Sequence, residues 1–323
     1  MKPIDIVITW VDGDDPIHKK KREKYLAGSN LQQYDDIAGT TRYRSVGEID
    51  YCVASILRFA PFVNHIYIVT DNQDPQLDPF INKYFPENQI LISIIDHKTI
   101  FKGYEEYLPT FNSLSIETML YRIPGLSENF VYLNDDLMLT APIKPEDWFI
   151  NDMPVIYGYW HYTFTARLMR TIGKLKKGHS AFKFRDSMLN AATILGKKAS
   201  WKFFRIVHAP LALKRSLYER FYQEHPNLLV HNIQHRFREK TQYNPQVLFQ
   251  TMMAVDHQCI VKSDKNTVAY LQPRPHRPKN FRKQMEKIYH QKGFLFCCIN
   301  SLDQGTEEQQ KEIVDWIKSV LHL

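Results

Sequence analysis

No apolar run in this sequence approaches the roughly 20 residues that a membrane-spanning helix requires. The N-terminus, MKPIDIVITWVDGDD, is expected not to be a signal peptide: its apolar stretch is short, and acids stand where a cleavage site would be. Cysteine is scarce. The four present (Cys52, Cys259, Cys297, Cys298) have no C-x-x-C spacing, and two of them are neighbours. That excludes a disulfide framework and a zinc ribbon and points to a reducing cytoplasm. There is no G-x-G-x-x-G and no G-x-x-x-x-G-K-[ST], so neither a dinucleotide fingerprint nor a P-loop is available. Internal repeats and low-complexity segments are absent as well.

What is present is a chain of 323 residues with 44% hydrophobic and 13% aromatic content, enough for a substantial core. Its length suits one large α/β domain with insertions, or two modest ones. The net charge of +7 is unevenly spread. Residues 166–205 carry eleven Lys/Arg (positions 167, 170, 174, 176, 177, 183, 185, 197, 198, 202 and 205) against one acid, Asp186. Such a block suits phosphates, an anionic membrane surface or an acidic glycan. For any single lysine the plain alternative is a solvated face, and nucleic-acid binding has only the net charge behind it.

Four short apolar runs read as strands: Ile4–Trp10, His65–Thr70, Gln89–Ile95 and Phe130–Leu133. Helical patterns separate them. One opens at Pro16 and stops near Gly28; its lysine run reads as a solvated face. After a polar loop at Leu31–Arg44, Gly47–Phe59 is amphipathic. A further helix, capped by Asn112 or Ser113, buries Ile116, Met119, Leu120 and Ile123 and stops at Pro124-Gly125. The alternation predicts a mainly parallel sheet flanked by helices. Each strand runs into a carboxylate: Asp12, Asp71, Asp96, and the pair Asp135/Asp136. Ligands of α/β sheets bind outside the carboxyl ends of the strands, so these acids are expected to gather at one edge.

The adjacent pair is the sharpest signal. Two neighbouring carboxylates repel and are costly to desolvate unless a cation or donors compensate. Oxygen ligands there suit Mg2+ or Mn2+ shared with substrate phosphates; the plain alternative is a solvated turn. In the second half, Val155–Thr165 is dense in aromatics and reads as one or two strands, either half-buried core or a sugar-stacking platform. A helix is expected to run through Glu224. His231 and His235 have the spacing of a zinc pair but lack further ligands. Asn244–Asp256 reads as a helix, Gln272–Lys283 as a loop, and Glu307–Leu323 as a helix with Ile313, Trp316, Ile317 and Val320 on the face that docks on the core.

Three segments, IDIVITWVDGDDP, RYRSVGEIDYCVASILRFAPFVNHIYIVTDNQDP and FNSLSIETMLYRIPGLSENFVYLNDDLML, resemble the first two conserved regions of the Stealth family of sugar-1-phosphate transferases. HAPLALKR and HRFRE are similar to the third region, and FLFCCINSLDQGTEEQ sits where the fourth is expected. The resemblance is close over Ile4–Leu139 and patchy afterwards. It implies a glycosyltransferase-A-like α/β fold in a single catalytic domain over 1–323. Residues 1–150 would form the nucleotide and metal half; 151–323 would form the acceptor side, with a helical, basic insertion at about 166–205. It also implies a UDP-sugar donor, Mg2+ or Mn2+, and transfer of the sugar-1-phosphate to a hydroxyl of an oligosaccharide or lipid-linked glycan, with UMP leaving. The setting would be capsule or surface polysaccharide synthesis in the cytoplasm, with the basic block a candidate for peripheral contact with the anionic inner-membrane surface.

Carried over residue by residue, the resemblance implies metal ligation by Asp135 and Asp136. It implies donor contacts from Trp10, Asp12, Gly13, Asp71, Asn112, Glu117 and Asn134, and catalytic roles for Asp12, Asp136, His208 and Arg238. Two positions depart from the family pattern. Asn300-Ser301 replaces an expected Asn-Asp, so Asp303 is a substitute candidate. Cys52-Val53-Ala54-Ser55 lacks an expected arginine, leaving Arg58 or the basic block to meet phosphate. The sequence leaves open whether the base is a strand-end Asp or His208, and whether His208 is instead a phospho-His nucleophile. Competing readings are a metal-dependent glycosyltransferase releasing UDP and a non-catalytic binder of polyanions or membrane surfaces.

Overall fold

The computed structural model describes residues 2–27, 47–177, 184–291 and 293–323. The loop expected at Leu31–Arg44, the helix stop at Gly28 and Lys183 of the basic block lie outside the described residues.

The strands β1 (Ile4–Thr9), β2 (His65–Thr70), β3 (Leu91–Asp96) and β4 (Asn129–Asn134) form a sheet in the order β3-β2-β1-β4, all parallel. A late strand, β9 (Leu211–Lys214), closes the β4 edge antiparallel. The inner strands read as unbroken apolar runs because both faces are covered. Alternate residues serve alternate faces: Ile4, Ile6, Ile8, Val131 and Leu133 enter one core, while Val7, Phe130 and Tyr132 enter the other. The outer strand β3 leaves Leu91 and Ile94 exposed. Asp5 in the middle of β1 is fully buried and is satisfied by Asn64 Nδ2 at 2.8 Å and the Ser127 amide at 2.7 Å.

The first core is covered by α2 (Glu48–Phe59) and by the C-terminal helix α12 (Glu307–Leu321), whose Ile313, Ile317 and Leu321 are buried. The second lies under α5 (Ser113–Met119), α8 (Arg215–Glu224), α9 (Pro226–Ile233) and α10 (Pro245–Val255). In chain order the remaining helices are α1 (Pro16–Leu26), α3 (Asp78–Tyr84), α4 (His97–Ile100), α6 (Thr163–Lys177), α7 (Phe184–Ile194) and α11 (Pro278–His290). Two smaller sheets complete the fold. The strand β7 (Met153–Tyr162) pairs with β6 (Phe149–Ile150), β8 (Lys202–Ile206) and β10 (Ile260–Lys262). β12 (Phe296–Ile299) lies between β11 (Val268–Leu271) and β5 (Leu137–Leu139), antiparallel to β5. Residues of the second half thus enter both cores and extend the sheet of the first half.

Two expectations are corrected, and a third is narrowed to one of its alternatives. The stretch Gln272–Lys283 is a loop only up to Arg277; Pro278 opens α11, because proline lacks only a donor that the first helical turn leaves unused. The aromatic stretch Val155–Thr165 is one strand that turns into α6 at Thr163. On α5, Ile116 is only half-buried; Leu114, Thr118 and Met119 face the core, and the chain tightens into a 3₁₀ turn at Leu120–Arg122.

Candidate active site

Register puts the acid pair beside the turn that follows β1. Thr9 pairs with Asn134 across parallel strands, so Trp10 and Asp135 are the next residues out on neighbouring strands at the carboxyl edge. Asp135 and Asp136 fill the tight turn from β4 into β5 and are half-buried. Burial, then the neighbouring Asp136 charge, then Glu48 at the start of α2, hold the Asp135 carboxyl well above the usual carboxylate range. Burial also raises Asp136, against the opposing pull of His208.

Pairing of β12 with β5 brings two groups to Asp136. The Cys298 thiol and the Asn300 amide each lie 3.5 Å from Asp136 Oδ2, an ordinary distance for sulfur and a long one for the amide. The Cys298 thiol is itself pushed far up by burial, so it stays protonated as a donor. Asp136 Oδ1 is buried with no hydrogen-bond partner among the described residues. Its other neighbour, His208, stands exposed between β8 and β9, its ring 5.3 Å from that of Tyr270.

A second cluster adjoins the first through Tyr132 on β4. Its hydroxyl lies 2.6 Å from Asn134 Oδ1, 2.9 Å from Thr9 Oγ1 and 3.3 Å from Glu117 Oε1. Glu117 points from α5 into the interior, and burial lifts its carboxyl to about 7 in spite of the Arg238 charge and hydrogen bonds from Tyr132 and Ser113. The Arg238 guanidinium donates to Ser113 Oγ at 2.7 Å. Arg238 is carried by the segment between α9 and α10, which Asn112 fastens. The Asn112 amide nitrogen lies 2.9 Å from the His235 carbonyl, 3.0 Å from that of Phe237 and 2.9 Å from Gln242 Oε1, while its oxygen caps α5.

The turn after β1 is fixed by Gln73, whose amide pairs with both the N–H and the carbonyl of Asp12 at 3.0 and 2.8 Å. The Asp12 carboxylate accepts from the Asp14 amide at 2.9 Å. Trp10 is buried, and its indole N–H has no acceptor among the described residues.

The structure therefore brings Asp135, Asp136 and His208 together, and Asn134, Glu117 and Arg238 together, with Trp10 adjoining. Asn112 is fully buried, and its amide is bonded to the segment that carries Arg238. Two strand-end acids have structural partners: Asp71 pairs with Lys21 at 2.7 Å, and Asp96 caps α4. Asn300 bonds Asp136. Arg58 is exposed and stacks over Phe85 at 5.0 Å. The rings of His231 and His235 are 5.9 Å apart, and His231 Nε2 contacts the Thr241 carbonyl at 3.2 Å.

Among the described residues, no three His, Cys, Asp or Glu side chains converge tightly enough to hold a metal by themselves. The residues present nonetheless fit a shared divalent cation. Two adjacent carboxylates of raised pKa, one with a buried oxygen lacking a partner, supply part of a coordination sphere that a substrate's phosphates would complete. Glu48, Ser113, Tyr132, Gln73 and the Asn300 contact were not singled out from the sequence. Glu48, an acid in a first helical turn, carried the only local cue.

The layout defines a class: an α/β protein with a cation-ready acidic turn at the carboxyl edge of a mainly parallel sheet. Comparison with known proteins narrows it. Residues 2–30 match the family model described as Stealth protein CR1, conserved region 1, and residues 42–155 match Stealth protein CR2, conserved region 2. An exopolysaccharide phosphotransferase of Lactiplantibacillus plantarum is 33% identical over 256 residues, covering 73% of this chain and 71% of that one. An exopolysaccharide phosphotransferase of Streptomyces coelicolor is 33% identical, covering 74% of this chain and 38% of its own. A capsular polysaccharide phosphotransferase of Actinobacillus pleuropneumoniae is 32% identical, covering 75% and 62%. The chain belongs to the Stealth family. It spans less than two thirds of the length of several of these relatives. Among solved structures, a galactosyltransferase in complex with donor and acceptor sugar analogs aligns over 98% of this chain and 95% of that one, at 9% identity and a TM-score of 0.45. No functional weight rests on a likeness of that size.

Proposed function

We propose that this protein transfers a sugar-1-phosphate from a UDP-sugar to a hydroxyl of an acceptor glycan, forming a phosphodiester and releasing UMP, in the synthesis of a capsule or surface polysaccharide. The observation that carries the reading is the half-buried acid pair, with a buried and unpartnered Asp136 oxygen, set beside His208 at the carboxyl edge of the sheet. The phosphotransferase names of the relatives support the reaction class.

Phosphoryl transfer depends on positioning and on neutralising charge. A Mg2+ or Mn2+ ion held by Asp135 and Asp136 would supply neutralisation at the donor diphosphate and at departing UMP. Trp10, with an indole N–H lacking an acceptor, and the turn at Asp12 and Gly13 would receive the nucleotide. Arg238, steadied by Ser113, would grip the transferred phosphate through its planar fork. Glu117, whose carboxyl burial lifts to about 7, lies within range of the Arg238 charge. His208 would take the acceptor hydroxyl's proton as the oxygen attacks the β-phosphorus; the bond to the UMP oxygen breaks, and UMP leaves with the electron pair. The Asp136 charge beside His208 would stabilise the imidazolium so formed. A cytoplasmic site of action suits four free cysteines and the absence, among the described residues, of any helix long and apolar enough to cross a membrane.

The test is to incubate the protein with Mg2+, a panel of UDP-sugars and an acceptor glycan, and to separate the nucleotides. UMP is expected, with Asp135→Ala, Asp136→Asn and His208→Ala folded and inactive. UDP in its place would make the protein an ordinary glycosyltransferase, and wild-type turnover by any of these variants would remove that residue from the mechanism.

A further inference from the structure

One exposed surface lies outside the residues assigned to this chemistry. The first three turns of α6 bury Ala166 but turn Phe164, Leu168 and Ile172 outward at i, i+4 and i+8, with Met169 beside them. Next to the helix start stand Tyr162 and Trp201, and Phe164 and Trp201 are 74% and 82% exposed. These residues share one rigid corner: the Thr163 amide donates to the Trp201 carbonyl at 2.9 Å, and the Thr163 hydroxyl to that of Ala199 at 2.8 Å.

Basic side chains rim the apolar group. Arg167 and Lys197 are exposed, and Lys202 lies 4.4 Å from the Trp160 ring centre. The neighbouring acids are engaged: Asp186 by Arg170 at 3.7 Å and Asp256 by Lys198 at 2.7 Å.

We propose that this face is a docking surface for an anionic phospholipid bilayer, with α6 lying along the interface. Exposed aromatic and aliphatic side chains enter the acyl boundary while lysine and arginine heads remain among the phosphates, the division of labour of interfacial helices. Charge selects this occupant over others. A symmetric contact with a second copy would set one basic rim against another. A nucleic acid would satisfy the rim but leave the apolar centre uncovered. The surface would hold the protein beside membrane-borne glycan acceptors; the inference itself does not depend on the proposed reaction.

The experiment is co-sedimentation of the whole protein with vesicles of phosphatidylcholine alone or mixed with phosphatidylglycerol. Binding to the anionic vesicles is expected, stronger by at least about tenfold than to neutral ones and weakened by salt. The pair Phe164→Glu and Leu168→Glu is expected to lower that binding by about tenfold or more, with an unchanged unfolding transition and unchanged UMP release on a soluble acceptor. Trp201→Phe should remove a blue shift of tryptophan emission seen when anionic vesicles are added. Equal binding to neutral vesicles, undiminished binding by the double variant, or a dimer that the double variant dissociates without any lipid affinity in the wild type would overturn the proposal. Loss of UMP release with lipid binding intact would count against the reaction and not against the surface.

Discussion

Replacing Glu117 by Gln should make the protein more stable at neutral and alkaline pH and less active. The Glu117 carboxyl sits at about 7 in the folded protein against an ordinary value of 4.5, chiefly because it is buried. Below 4.5 both states are protonated and the group contributes nothing to the pH dependence. As pH rises, the unfolded chain ionises first, and stability drains away until the folded carboxyl has also ionised above about 7. Fully ionised, the residue costs about 3 kcal/mol. Gln keeps the shape and removes the charge. Urea unfolding of both proteins between about pH 4.5 and pH 8 should therefore show their stabilities diverging by about 3 kcal/mol, with the variant the more stable at the alkaline end. UMP release should fall, since Glu117 positions Arg238 through Ser113 and touches Tyr132 beside the acid pair. Stability gained as activity is lost marks a group kept for function at a cost to the fold. Parallel pH curves for the two proteins would refute the burial argument.

The opposite sign is expected at His97, which burial holds at about 4, below its ordinary 6.5. Its unfolded form takes up a proton that the folded form refuses, so stability falls as pH drops from 6.5 toward 4, by about 3 kcal/mol, and His97→Gln should flatten that loss in acid unfolding curves. Asn112→Ala removes a helix cap and the shared donor to two carbonyls and Gln242; a loss of about 2–4 kcal/mol is expected in denaturant titrations, with weakened donor binding because the Arg238 segment loosens. Asp135→Asn should raise the unfolding temperature in metal-free buffer, since it removes one of two adjacent, partly desolvated like charges, while abolishing the protection that Mg2+ plus a UDP-sugar gives the wild type.

The central sheet was legible because its inner strands are covered on both faces and so read as apolar runs, and the parallel order followed from the helices between them. The helix α12 was legible for a related reason: it buries one stripe at helical spacing, whereas α2 shows such spacing in its sequence but buries every residue from Cys52 to Ile56. Pairings between distant segments were not. FCCI gives no sign that it will lie antiparallel to Leu137–Leu139 and carry Asn300 to Asp136, because register depends on partners far along the chain. Tyr132 looks like one more apolar strand residue, and only the packing of α5 against β4 turns its hydroxyl into a link between Thr9, Asn134 and Glu117. Strand-end acids look alike in sequence; the structure distinguishes them by their partners, Lys21 for Asp71 and a helix start for Asp96. Pro278 was read as a breaker because its position relative to the helix start was not visible.

The most direct measurement follows the β-phosphorus of the donor. A UDP-sugar labelled at that atom, incubated with the protein, Mg2+ and acceptor, should deliver its label to the glycan in a phosphodiester while unlabelled UMP accumulates in equal amount. Label recovered in UDP, with sugar alone on the glycan, would contradict the account.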